Sequence, residues 1–187
     1  MTEDSFASVL NALQFAAWKH RQQRRKDAEA TPYINHPIGL LHLLFREGQV
    51  TDPIVLMGAL LHDTVEDTDT TVAEIRAHFG ESVATVVAQV TDDKSLPKTT
   101  RKRLQIEHAV TLCDRAKLVK LADKIHNLRD LAQSPPADWP PERLRSYCDW
   151  CKQVIDQLRG IHPPLEVLFD QAYDAAYAAY PPHTVKS

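Results

Sequence analysis

Apolar residues recur at three- and four-residue steps along nearly the whole chain, the spacing of a buried helix face. Phe6, Leu10, Leu13 and Ala17 trace a first helix ending in the basic stretch Arg21 to Lys26. A polar connection with Pro32 runs from Asp27 to Asn35. His36-Pro37 opens a second helix, because proline suits a first turn whose N–H has no partner. Ile38, Leu41, Leu44 and Phe45 form its predicted buried face, and Gly48 its stop. Asp52-Pro53 caps and opens a third helix. Its run Ile54, Leu56, Met57, Leu60 and Leu61 continues straight into His62-Asp63-Thr64-Val65-Glu66-Asp67.

Thr71 and Glu74 have capping-box spacing, and Gly80 closes that short helix. Val83, Val86, Val87 and Val90 look strand-like in composition but are helical in spacing. Residues 92 to 97 form a loop with Pro97. Leu104 to Cys113 and Ala116 to Leu131 read as two more helices. Pro135-Pro136 and Pro140-Pro141 bracket a break, a loop bordering a pocket. Leu144, Tyr147, Trp150, Cys151, Val154 and Leu158 mark another amphipathic helix. Pro163-Pro164 precedes a last one, Leu165 to Tyr180, with a frayed end. The pattern predicts an all-α, single-domain bundle of about nine helices.

Composition agrees. The chain has 187 residues and only 5 Gly, where average usage would give about 13. Few glycines argue against a turn-rich all-β fold. The net charge of −3 argues against a general nucleic-acid binder. No window approaches ~18 uninterrupted apolar residues, so no membrane span is expected. Met1-Thr2-Glu3-Asp4 lacks the basic start of a signal peptide. The 3 Cys make a disulfide framework improbable. A soluble cytoplasmic protein is expected.

The acidic end of the third helix carries the main chemical signal. His62 and Glu66 are four apart, as are Asp63 and Asp67, so each pair shares a helix face. Three carboxylates beside a core repel one another, and desolvation costs several kcal/mol per ion. A divalent metal compensates directly. The bland reading is a solvated helix end, but negative charge there opposes the helix dipole. A lone His-Asp pair is weak evidence, so the context decides. His36, in a polar loop before Pro37, and Asp123 are able to complete the site. Singly, His36 reads as a surface or core histidine, and Asp123 as an ion-pair partner of Lys120 or Lys124. Asp123 and Asn127 share an edge apart from the Leu118, Leu121, Ile125 and Leu128 stripe. Two histidines with two aspartates suit Mn²⁺ or Fe²⁺ and admit Zn²⁺.

Two basic clusters stand against the net charge: Arg21, Arg24, Arg25, Lys26, and Lys98, Arg101, Lys102, Arg103. Solvated helix faces are the default. Facing a metal, they favour a polyanionic substrate. Cys148-Asp149-Trp150-Cys151 is a lone C-x-x-C inside a helical pattern, read as core packing. His20, His42, His78, His108, His162 and His183 have no visible partners in the sequence.

Together, His36, His62-Asp63 and Asp123 resemble the H…HD…D signature of HD-domain metal phosphohydrolases. Arg24 to Asp27, Thr31 to Pro37, Leu60 to Thr68 and Lys117 to Leu131 are similar to the hydrolase half of the RelA/SpoT alarmone family. The likeness is greatest to its small stand-alone hydrolases, the metazoan SpoT homologues included. It covers about residues 3–160, leaving the C-terminal helix 165–180 beyond it. The resemblance implies an HD-type helical bundle spanning 1–187 that uses Mn²⁺. It implies hydrolysis of ppGpp or pppGpp to GDP or GTP and pyrophosphate, with no synthetase domain. By motif position, His36, His62, Asp63 and Asp123 would hold the metal. Glu66 and Asp67 would be the catalytic acidic pair, Glu66 positioning or deprotonating the attacking water and Asp67 assisting. Arg25 and Lys26 would contact the guanine end, and Asn127 the sugar or phosphates. Lys98, Arg143 and Tyr147 match further substrate contacts. His126 departs from the pattern, since the metazoan relative has Tyr there.

Two alternatives stay open. One is another nucleotide phosphohydrolase, in particular removal of the NADPH 2′-phosphate. The other is a non-catalytic nucleotide-binding sensor, which would not need the acidic pair.

Overall fold

The computed structural model describes residues 2–181. Met1 and residues 182–187, His183 among them, lie outside the described residues. Ten α-helical segments appear: α1 (Glu3–Lys19), α2 (Asn35–His42), α3 (Pro53–Leu61), α4 (Thr64–Asp67), α5 (Val72–Phe79), α6 (Glu81–Val90), α7 (Lys98–Ala109), α8 (Asp114–Gln133), α9 (Pro141–Ile155) and α10 (Pro163–Ala178). A π-helical turn, Leu43–Glu47, extends α2 to Gly48. Among the described residues there is no strand, only an isolated bridge between Arg24 and Pro32. The all-α architecture agrees with the sequence pattern. The third predicted helix is two segments, broken at His62-Asp63.

The core is centred on α3. Every residue from Val55 to Leu61 is buried. A helix apolar on all sides must be enclosed, and α1, α2, α6 and α8 pack around this one. Its start is fixed by Asp52, whose Oδ1 accepts the Ile54 N–H at 2.9 Å. The Thr71 cap also forms, accepting the Glu74 N–H at 3.1 Å. Gly80 ends α5 at φ 84°, a left-handed conformation that glycine adopts freely. The α6 valines Val83, Val86, Val87 and Val90 are all buried.

Two predicted stripes are shifted. On α1 the buried face is Val9, Ala12 and Ala16, while Phe6 and Leu10 are exposed. Small side chains there allow α1 to lie close along α3. On α2 and its extension, Leu40, Leu43 and Leu44 are buried, whereas Ile38 and Phe45 are exposed. α7 starts at Lys98, a turn and a half before its apolar residues begin, because Pro97 ends the loop there. α10 lies along α8, and Tyr180 Oη donates to the Leu131 carbonyl at 2.5 Å. Cys148 and Cys151 are buried and free, as core residues.

Candidate active site

Three helices converge on one point. α2 brings His36, the α3–α4 junction brings His62 and Asp63, and α8 brings Asp123. The junction is a sharp turn, with Asp63 at φ −100° and ψ −2°. Thr64 Oγ1 donates to the Leu61 carbonyl at 2.7 Å, so the polar turn is satisfied although Thr64 is buried. α4 then resumes, with the Asp67 N–H donating to the Asp63 carbonyl at 2.8 Å.

The donor atoms of His36, His62 and Asp123 lie within 4.8 Å of one another. His36 Nε2 is 3.3 Å from Asp123 Oδ1, and His62 Nε2 is 3.9 Å from the same oxygen. Asp63 Oδ2 is 2.8 Å from His62 Nε2. His62 Nδ1 faces the Ala59 carbonyl at 2.8 Å and must donate to it. That leaves Nε2 buried with no well-aligned hydrogen-bond partner among the described residues. A lone pair and a carboxylate so close together need a positive charge between them, which a cation supplies. The residues therefore fit a divalent metal held by mixed nitrogen and oxygen donors.

The electrostatics agree. Burial drives the His36 pKa down to about 4, keeping its ring neutral with a lone pair to offer. Burial also lowers His62, but Asp63 and Asp123 outweigh it and lift the value to about 9. A bound cation would take the place of that proton. Burial pushes Asp123 up, yet Lys124 and His36 prevail and hold it well below the usual carboxylate range. Lys124 Nζ takes Asp123 Oδ2 at 3.0 Å, so the ion-pair reading holds too. It occupies one oxygen and leaves Oδ1 to the two histidines and to Asn127 Nδ2 at 2.6 Å. Tyr33 Oη donates to Asp63.

Two cavities meet here. A smaller one, about 190 Å³, contains all four ligand candidates, with Glu66, Asp67 and Asn127. A larger one, about 600 Å³, is lined by Arg24, Arg25, Lys26, Trp139 and Tyr147. They share Tyr33, His36, Asp67 and Asn127. Glu66 accepts the Asp92 N–H at 3.1 Å and Arg101 Nη1 at 3.4 Å. Burial raises its pKa, helped by the charges of Asp63, Asp92 and Asp67 against that N–H. Asp67 pairs with Lys94.

Arg25 is held on a hairpin-like loop. Its N–H donates to the Thr31 carbonyl at 2.8 Å, and Thr31 Oγ1 donates to Asp27 at 2.6 Å. Its guanidinium donates to Asp130 at 2.6 Å and to Asn127 at 3.2 Å. The loop bracketed by the proline pairs does border the cavity, through Pro136 and Trp139, with Ser134 just before it. Lys98 and Arg143 line neither cavity but flank Trp139, 5.7 and 4.2 Å from its ring centre. Of the basic residues, Arg21 instead stacks on Trp18, and Arg103 pairs with Glu107.

Sequence reasoning missed three residues. Arg101 was one of a basic cluster with nothing to mark it as the partner of Glu66. Lys94 lies in a loop without periodicity. Trp139 had a signal, as the aromatic residue inside a proline-bracketed loop.

Helices presenting a buried histidine and aspartate cluster at the end of an apolar central helix define a metal-dependent hydrolase scaffold. Residues 12–146 match the family model described as HD domain, and the chain belongs to that family. Guanosine-3′,5′-bis(diphosphate) 3′-pyrophosphohydrolase MESH1 of Xenopus tropicalis is 54% identical over 173 residues, 92% of this chain and 96% of that protein. The protein of the same name from Homo sapiens is 56% identical over 160 residues, 86% of this chain and 89% of its own. A solved structure, described as a metazoan orthologue of SpoT that hydrolyses ppGpp and plays a role in starvation responses, superposes with a TM-score of 0.87. It is 51% identical, covering 90% of this chain and 94% of its own.

Proposed function

We propose that this chain is a (p)ppGpp 3′-pyrophosphohydrolase, a metal-dependent hydrolase releasing pyrophosphate and GDP or GTP. The carrying observation is the joined pair of cavities. One gathers His36, His62, Asp63 and Asp123 around a point that needs a cation, and the other is rimmed by Arg25 and Lys26. The four residues would hold the metal, and the donor set suits Mn²⁺, with Fe²⁺ and Zn²⁺ as competitors. A cation held by them would supply Lewis acidity, making a water easier to deprotonate and offsetting phosphate charge.

The chain's own groups do the rest. Glu66, its pKa raised, positions the attacking water or takes its proton, and Arg101 and the Asp92 N–H hold the carboxylate in place. Asp67 assists from the wall common to both cavities. Asn127 bridges Arg25 and Asp123, linking the nucleotide end to the metal end. Arg25, Lys26 and Tyr147 line the larger cavity, where the two basic residues would face the guanosine moiety. Lys98 and Arg143 supply positive charge beside Trp139 for the phosphates. Residues 3–160 carry the chemistry, and the 165–180 helix completes the same single domain. The three free cysteines suit a reducing, cytoplasmic setting.

The test is a product assay. Metal-stripped protein is incubated with Mn²⁺ and either ppGpp or NADPH, with Asp63→Ala as control. The expected result is GDP plus pyrophosphate, absent without Mn²⁺ and absent in the variant. NADH plus phosphate alone would keep the metal chemistry and move the substrate. Bound nucleotide without product would leave a sensor.

A further inference from the structure

His126 lies on α8, one turn beyond Asp123, and its ring points at the back of His36. The two Nδ1 atoms are 3.1 Å apart, and the rings meet nearly edge to face, at 75°. Facing ring nitrogens at this distance share one proton: one donates and the other accepts. His36 presents its other nitrogen, Nε2, to Asp123 and His62. A ring that offers a lone pair at Nε2 carries its proton on Nδ1. His126 Nδ1 must then be the acceptor, with its own proton on Nε2.

The packing holds the ring there. A methyl group on Gly39 would lie 1.9 Å from His126 Nε2, so α2 admits this ring only because it has glycine at that position. His126 Nδ1 is also 3.4 Å from Asp130 Oδ2. If it donated there, His36 Nδ1 would become the acceptor and its proton would move to Nε2, closing the metal-facing atom. His36, His126 and Asp130 together have donor atoms close enough for a second ion. Arg25 already supplies the positive charge on Asp130 at 2.6 Å, which argues for a hydrogen-bonded relay rather than a second metal.

We infer that His126 is a positioning residue for the metal site, accepting the His36 Nδ1 proton and so fixing the tautomer that presents Nε2 to the cation. The inference rests on the metal reading proposed above. The experiment measures Mn²⁺ affinity by chelator competition in His126→Leu and His126→Asn, with melting of the metal-free forms as a fold check. Loss of an outer partner of a metal-bound histidine typically weakens affinity about 10- to 100-fold, and that is expected for His126→Leu. His126→Asn places a carbonyl oxygen near the Nδ1 position and is expected to bind within a few-fold of wild type. Wild-type affinity in His126→Leu, or equal weakness in both variants, would overturn the inference. Unchanged Mn²⁺ binding by Asp123→Ala would instead remove the metal site itself, a separate result. A measurement without variants uses ¹⁵N NMR of the Zn²⁺-loaded wild type. Protons on His36 Nδ1 and His126 Nε2 support the assignment, and a protonated His126 Nδ1 refutes it.

Discussion

The two cavities that meet at His36 and Asn127 are built differently. The smaller is walled mostly by helices, α2, the α3–α4 junction, α4, α6, α7 and α8, with buried His36, His62, Lys120 and Lys124 around it. Its side chains interlock: Lys124 holds Asp123, Asn127 holds Asp123, and Tyr33 holds Asp63. The larger has α8 as its floor, through His126, Asn127, Asp130 and Leu131, but its rim is the 20–34 loop and the 134–140 loop, and its Arg24 and Lys26 are exposed. Its main order comes from aromatic stacking around Trp139 and from the Arg25 pairs. Rigid helices thus fix the type of reaction, and loops fix what is brought to it, the usual division between scaffold and recognition.

The comparison makes graded demands. His62→Ala or Asp63→Ala is expected to abolish both Mn²⁺ binding, by equilibrium dialysis, and turnover, by product chromatography. Retained turnover would dissolve the distinction between the cavities. Glu66→Gln is expected to keep the metal and lose about 10²- to 10⁴-fold in kcat, the range for a general base. It also carries a pH signature. Burial raises the Glu66 pKa above the ordinary 4.5, and a base must be ionised. Wild-type kcat should therefore fall as pH drops through that raised value, and the residual activity of Glu66→Gln should lack that limb. Trp139→Ala should act on the other cavity. Loss of one stacking partner is worth ~1–3 kcal/mol, so KM should rise roughly 5- to 150-fold while kcat stays within a few-fold. A fall in kcat with KM unchanged would assign Trp139 to the chemistry instead. Lys98→Ala is the mildest, a few-fold rise in KM that shrinks as salt is added, since the lysine is exposed.

Legibility in the sequence followed the same line. The helices, the caps at Asp52 and Thr71 and the α6 stripe could be read because local spacing alone determines them. The gathering of His62 and Asp63 with His36 and Asp123 could be read because ionisable residues interrupt an apolar run. The α1 stripe was misread because large side chains draw attention, while the face against α3 uses Val9, Ala12 and Ala16, where closeness rather than volume decides. The break at His62-Asp63 was hidden, since four-residue spacing continues across it and only the tertiary fit of α4 reveals the turn. Arg101 and Lys94 could not be placed, because their partners are 35 and 27 residues away.

Having its donors on α2, α3–α4 and α8 gives the cluster a second consequence. An ion seated there clips together helices far apart in the chain, and the denatured polypeptide has no equivalent place for it. Saturation a hundredfold above Kd adds about 2.7 kcal/mol, a large share of an ordinary stability of roughly 5–15 kcal/mol. In a cell short of that ion, the enzyme would lose molecules to proteolysis as well as losing turnover. Its abundance would then follow trace-metal supply, and the lifetime of its nucleotide substrate would follow the cell's mineral nutrition.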